Sequence, residues 1–121
     1  MNLSLLKNGE HFYVYALVLD DGSVPAIEFL EALEKSNIRS YEQLLAVIER
    51  HAKHGPLRNR QQSNTLDDKI LEFKCRGVER LAYAYLPGKR TVITHGFKKP
   101  KNYNEEIKRA RDYMNTLEGQ L

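Results

Sequence analysis

The sequence predicts an α+β fold: a small, mostly antiparallel sheet of one N-terminal strand and a three-stranded meander, with a helical hairpin packed on one face and a C-terminal helix. Three observations carry this expectation. His11–Leu19 (HFYVYALVL) is dense in aromatic and β-branched residues, as strands are. Lys69–Lys101 divides into three strand-length alternating segments, with Pro87 and Gly88 at a tight turn between the last two. The remaining stretches repeat their apolar residues every three or four positions, which is the period of a helix.

Size and composition set outer bounds. At 121 residues the chain has the length of one domain, and such a chain buries roughly two-thirds of its unfolded surface. Hydrophobic residues make up 41% and charged residues 29%, as in soluble globular proteins. Cys75 is the only cysteine, so no internal disulfide is possible, and no Cys/His cluster has zinc spacing. A reducing cytoplasm without a structural metal or cofactor is the expectation. The longest apolar stretch, Tyr13–Leu19, has the length of a strand, so neither a signal peptide nor a membrane span is expected.

Taken in order, Met1–Glu10 is polar and expected to fray at its start. After the His11–Leu19 strand, Asp20-Asp21-Gly22 turns the chain. Ser23 is the expected N-cap of a first helix, with Pro25 tolerated in its first turn. That helix runs to about Lys35 on a stripe of Ala26, Phe29, Leu30 and Leu33. A break at Asn37–Arg39 precedes an S-x-x-Q capping box, Ser40 and Gln43, which opens a second helix. Leu44, Leu45, Val47, Ile48 and Ala52 form its buried face, and Gly55-Pro56 stops it. Pro56–Asp68 lacks periodicity and reads as a loop. Strands follow over Ile70–Arg76, Arg80–Leu86 and Arg90–Phe97. Asn102–Asn104 offers caps for the last helix, whose stripe is Ile107, Ala110, Met114 and Leu117 and which Gly119 ends.

Charge is distributed unevenly. Residues 1–55 carry 5 Lys/Arg against 8 Asp/Glu, whereas residues 56–101 carry 11 against 4. The positive excess therefore sits on the meander and the loop before it, the footprint expected for a polyanion. RNA or DNA fits better than a membrane, because no basic amphipathic helix accompanies it. The bland alternative is that lysines solvate a small sheet. Alternation puts Glu72, Lys74 and Arg76 on one side of their strand, and Lys74, Arg76, Arg80, His95 and Lys98 near one another on a face expected to stay wet. Arg58 and Arg60 could reach a phosphate from the loop, or simply solvate it. Glu49, His51 and His54 lie near a helix end, where an imidazole suits the dipole; a metal there is not expected.

Several chemistries are excluded. There is no Gly-rich phosphate loop, no G-x-S-x-G and no H-E-x-x-H. The basic region holds too few carboxylates for a two-carboxylate hydrolase or a magnesium-dependent nuclease. Metal-independent chemistry on a phosphodiester remains. RNA suits it, since the ribose 2′-OH attacks the adjacent phosphorus if cations neutralise the transition state and protons are moved. Arg80, Lys74, Arg76 and Lys98 are the candidate cations, and His95 is the group with a suitable unperturbed pKa. Each has a structural alternative: Arg80 an ion pair with Glu72 or Glu79, His95 a bonded strand-end histidine, Lys98 and Lys99 a solvated loop. Tyr83 and Tyr85 could stack a base or pack in the core.

The ordered set of segments resembles the RelE/HigB superfamily of bacterial and phage-derived toxins, particularly its HigB-like branch. The resemblance spans about residues 11–118. It rests on D-G-S-V-P-A-I-E-F-L after the first strand, H-G-P after two helices, L-D-D-K-I-L-E-F-K, R-L-A-Y-A-Y, H-G-F-K-K and the closing N-E-E-I-K-R-A-R. A RelE-like fold is implied. So is a ribosome-dependent toxin that cleaves messenger RNA without metal and is silenced by a helix-turn-helix antitoxin. By position, Lys74 matches the family's strand arginine, Arg80 the arginine opening the next strand, His95 the H-G-F histidine, and Lys98 and Lys99 the basic tail. Under this resemblance Lys74 and Arg80 hold the scissile phosphate, His95 takes part in proton transfer or binds the leaving group, and Arg76, Lys98 and Lys99 bind the RNA backbone, with Arg58 and Arg60 added as phosphate-binding candidates from the loop. The Cys75–Glu79 connection is a residue longer than in many members, which loosens the match at Arg76. Leu71 stands where Trp is common, and Pro100–Asn104 replaces a Q-K-T-P-like segment. A catalytically inactive binding module of the same fold, or a phage accessory protein, is the alternative.

Overall fold

A computed structural model describes residues 1–121. Its centre is a six-stranded mixed sheet, where four strands were expected. Chain order is β1 (Asn2–Asn8), β2 (Tyr13–Val18), α1 (Pro25–Ser36), α2 (Ile38–His54), β3 (Ser63–Thr65), β4 (Leu71–Lys74), β5 (Glu79–Leu86), β6 (Arg90–Lys98) and α3 (Asn104–Gln120). Strand order across the sheet is β1-β2-β6-β5-β4-β3. The β4–β5–β6 meander is antiparallel, and β2 joins its β6 edge in parallel. That parallel pairing needs a long crossover, which α1, α2 and the meander provide. The α+β expectation holds, with an edge strand added at each side.

Both added strands replace expected coil. Met1–Glu10 does not fray: Asn2–Asn8 pairs antiparallel with β2. Leu3 and Leu6 pack into different core clusters, and the register shifts between Leu5 and Lys7. This bulge breaks the alternation by which a strand is recognised. The Pro56–Asp68 segment contains β3, only three residues long. The helix ends also differ in detail. Ser23 closes a turn by donating to Asp21, so Val24 is the first N-cap. Asn37 alone separates α1 from α2 and caps α2 by accepting from the Ser40 N–H at 3.2 Å, which leaves Gln43 free for another contact. Gly55 (φ 92°) ends α2, where glycine is at ease. Helix α3 runs through Gly119 to Gln120.

The two faces of the sheet bury separate clusters. On one face Val14, Ala16, Phe73, Leu81, Tyr83 and Ile93 meet Ala26, Leu30 and Leu33 of α1 and Leu44, Val47 and Ile48 of α2. Gly96 lets α1 approach β6, since a Cβ there would lie 2.1 Å from the Phe29 ring. On the other face Leu17, Ala82, Ala84, Leu86, Val92 and Phe97 are covered by Ala110, Met114 and Leu117 of α3. The expectation of a wet face carrying the cations is therefore corrected. Those strand residues are too apolar to leave in water, and the α3 stripe covers them at a gain of about 1.5–3 kcal/mol per large side chain. His51 belongs to the first face: it is fully buried, stacked on Phe12 and bonded to Thr91 Oγ1 at 2.8 Å. No helix is long and apolar enough to cross a membrane.

Candidate nucleic-acid interface

The end of β4, one flank of α2 and the loop before β3 enclose a cleft of about 410 Å³. Helix α2 contributes Gln43, Ala46, Val47 and Arg50, which recur at helical spacing beside its buried stripe. The loop contributes Asn59, Gln61 and Gln62, and β4 leads into Lys74, Cys75 and Arg76. The lining thus holds three cations and four side-chain amides and no carboxylate. Such a surface neutralises phosphate oxygens through its cations and offers both donors and acceptors through its amides.

The walls are held by the backbone. Lys74 N–H donates to the Gln62 carbonyl at 2.9 Å, and the Gln62 and Ser63 N–H groups donate to the Asn59 carbonyl. Ser63 Oγ and the Tyr83 hydroxyl lie 2.6 Å apart, fastening β3 to the core. Across the cleft, Arg76 N–H donates to Gln43 Oε1 at 2.9 Å, tying the β4–β5 hairpin to α2. The hairpin needs glycine at Gly77, where a Cβ would sit 2.6 Å from Glu79 Oε1 and 3.1 Å from Ser40 Oγ.

The anticipated site residues separate into two groups. Lys74 and Arg76 line the cleft, and Arg58 and Arg60 are exposed on the loop that forms one wall. Lys98 and Lys99 are exposed beside the same hairpin: Lys98 pairs with Glu79, and Lys99 N–H donates to the Val78 carbonyl. Arg80 and His95 lie beneath the surface. Arg80, 5% exposed, donates from Nη1 to the carbonyls of Gly77 (2.8 Å) and Glu79 (2.9 Å), with Nε 3.5 Å from Glu72 Oε1. His95, 1% exposed, donates from Nε2 to Glu106 Oε1 at 3.0 Å, and its Nδ1 lies 3.0 Å from Thr94 Oγ1. Burial pulls its imidazole below the usual range, opposed by the bond to Glu106. Tyr103 completes this layer by donating to Glu72 Oε2 at 3.4 Å; burial, then the nearby carboxylate, raises its phenol. Tyr83 is core, stacked on Phe73, and burial raises it above its usual range. Tyr85 is partly exposed, outside the cleft.

Arg50 and the amides Gln43, Asn59, Gln61 and Gln62 were not read from the sequence as site residues, Gln43 being taken only for a helix cap. The signals were a second helical stripe at positions 43, 46, 47 and 50 and the run N-R-Q-Q-S-N after a helix stop.

No curated protein matches the chain. The family model described as phage derived protein Gp49-like (DUF891) matches residues 28–115, from α1 through most of α3. With strands β3 to β6 and the whole cleft inside that match, the chain belongs to the Gp49-like family of phage-derived proteins, a toxin-like family of RelE/HigB type.

Proposed function

We propose that the protein is the toxin of a type II toxin–antitoxin pair and that it cleaves messenger RNA on the ribosome without a metal. The observation that carries this reading is the cleft lined by Arg50, Lys74, Arg76 and four amides with no carboxylate among them. In that setting the ribose 2′-OH attacks the adjacent phosphorus as the P–O5′ bond breaks. The products are a 2′,3′-cyclic phosphate and a 5′-hydroxyl, which takes up a proton in place of the one lost from the 2′-OH. Lys74 and Arg76 neutralise the charge that builds on the phosphoryl oxygens. Arg58, Arg60, Lys98 and Lys99 hold the RNA on either side. Arg80 acts from below as a positioning residue, since its guanidinium binds the carbonyls of the hairpin that bears Arg76. Proton transfer by His95 requires the first turn of α3, with Glu106, to move aside on the ribosome. The partners are then a helix-turn-helix antitoxin and the ribosome with its message.

Mapping message 5′ ends after induction tests the reading. New ends within coding sequences are expected with the wild type and are lost with Lys74→Ala/Arg76→Ala, both residues being surface groups whose removal leaves the fold intact. Intact transcripts during growth arrest would contradict cleavage. They would favour instead a non-catalytic RNA- or ribosome-binding module, a reading that the burial of His95 supports.

A further inference from the structure

Two of the four amides in the basic cleft are fixed in orientation. Gln43 Oε1 accepts the Arg76 N–H at 2.9 Å, and Asn59 Oδ1 accepts the Gln61 N–H at 2.9 Å. Turning either carboxamide over would set its NH2 against a backbone N–H, so the assignment of oxygen and nitrogen is forced. Each bond uses the oxygen, and the NH2 is what remains for a ligand. Gln43 stands half-buried on α2, and Asn59 springs from a turn whose carbonyl accepts the Gln62 and Ser63 N–H groups. The two donors therefore come from different walls. Arg50, Lys74 and Arg76 add donors only, while Gln61 and Gln62 keep amides that turn either way. Glu42 lies outside this lining, in the shallow depression that Gln43 and Arg76 share with Arg39.

A cleft biased toward donors selects among bases. Adenine sets an amino group beside N7, cytosine carries one at N4, and uracil offers a lone O4. Guanine presents two adjacent acceptors, O6 and N7, on an edge without a donor, and in single-stranded RNA that edge is free. We propose that Gln43 and Asn59 make the cleft a guanine-reading site. Their NH2 groups donate to O6 and N7, while Arg50, Lys74 and Arg76 hold the flanking phosphates. The proposal rests on the RNA reading of this cleft and does not require cleavage. A volume of about 410 Å³ is that of a small-ligand site and admits one base beside the sugar–phosphate path. Because Gln43 is bonded to the backbone of Arg76, base and phosphate are held in one frame.

Fluorescence anisotropy tests the proposal with labelled uridine oligomers of about six nucleotides, 2′-O-methylated so that no 2′-OH attacks. One central position carries guanosine, inosine, 7-deazaguanosine, adenosine or cytidine. Guanosine and inosine, which share O6 and N7, are expected to bind about tenfold tighter than the other three. Gln43→Glu and Asn59→Asp keep the oxygen that the backbone N–H needs and replace the NH2 by an acceptor. The added charge lowers affinity for every oligomer, so the readout is the guanosine-to-adenosine ratio, which the double variant is expected to bring to about one. Equal binding of all bases, 7-deazaguanosine binding as guanosine does, or an unchanged ratio in the double variant overturns the proposal. If the double variant binds no RNA, the wild-type ratios decide alone. A wild type that binds none of the oligomers defeats the RNA reading of the cleft and this proposal together. In cells, message 5′ ends are expected to show guanine enriched at one fixed position beside the cut. Ends without that enrichment overturn guanine reading while cleavage stands; if no message is cut, cleavage fails and the anisotropy ratios still decide.

Discussion

Arg80 shows how far a residue's neighbours decide its role. Read along the chain, it is a cation between Lys74 and Lys98 and a natural phosphate ligand. In the folded protein its row on the sheet is Lys74, Arg80 and Phe97, and the guanidinium turns inward to the Gly77 and Glu79 carbonyls and to Glu72. Glu72 is 1% exposed, and its polar neighbours are Arg80 and Tyr103. Removing one member of such a pair leaves an uncompensated buried charge. Arg80→Ala is therefore expected to cost about 3–5 kcal/mol in urea denaturation, whereas Lys74→Ala stays within about 0.5 kcal/mol. A small loss for Arg80→Ala, together with abolished RNA binding, would instead put the guanidinium on a phosphate. The sequence offers a phosphate ligand or an ion pair with Glu72 or Glu79 as the outcomes for Arg80. It could not choose, because the choice depends on whether α3 covers that face.

At the scale of elements, the legible parts were those with uninterrupted patterns: β2, the β4–β6 meander, the Gly55 stop and the α3 stripe. The illegible parts were those where a pattern is broken or too short. The bulge in β1 resets its alternation, β3 has three residues, and the polar stripe of α2 with Arg50 runs beside a stronger apolar one. Helix α2 also hides a titrating group. His51 is buried against Phe12, Phe73 and Tyr83, its Nδ1 has no hydrogen-bond partner, and burial lowers its pKa to about 4 from 6.5. Between those two values the unfolded chain binds the proton more tightly than the folded one, so stability is full above pH 6.5 and falls as the pH drops toward 4. The shift corresponds to roughly 3 kcal/mol. His95, lowered by burial as well, acts in the same direction. Denaturation midpoints measured across this range should fall steeply for the wild type. The slope should be clearly shallower for His51→Gln, which does not titrate and keeps a polar atom for Thr91. An unchanged slope would show that other groups govern acid sensitivity.

Over the whole molecule, the pattern of charge outlasts the rearrangement of the site. The sequence placed the positive excess in residues 56–101, and the folded chain keeps six of those cations, Arg58, Arg60, Lys74, Arg76, Lys98 and Lys99, in or beside one cleft and one hairpin. What one dimension could not tell is that α2, from the acidic part of the chain, supplies Arg50 to the cleft, with Glu42 beside Gln43, Ala46 and Arg76 just outside its lining. This arrangement makes a quantitative demand on RNA binding. Each phosphate neutralised on a single strand contributes about −0.7 to the slope of log K against log salt. Substituting Arg50, Lys74 or Arg76 with Ala should each reduce that slope by about 0.7 and weaken binding to unrelated sequences alike, whereas Lys35→Ala on α1 should change neither. Lys98→Ala and Lys99→Ala then define the path. A reduced slope for both means that the strand leaves the cleft across the β4–β5 hairpin and over the end of β6. An unchanged slope confines it to the α2 side, where Arg58 and Arg60 are the next cations it would meet.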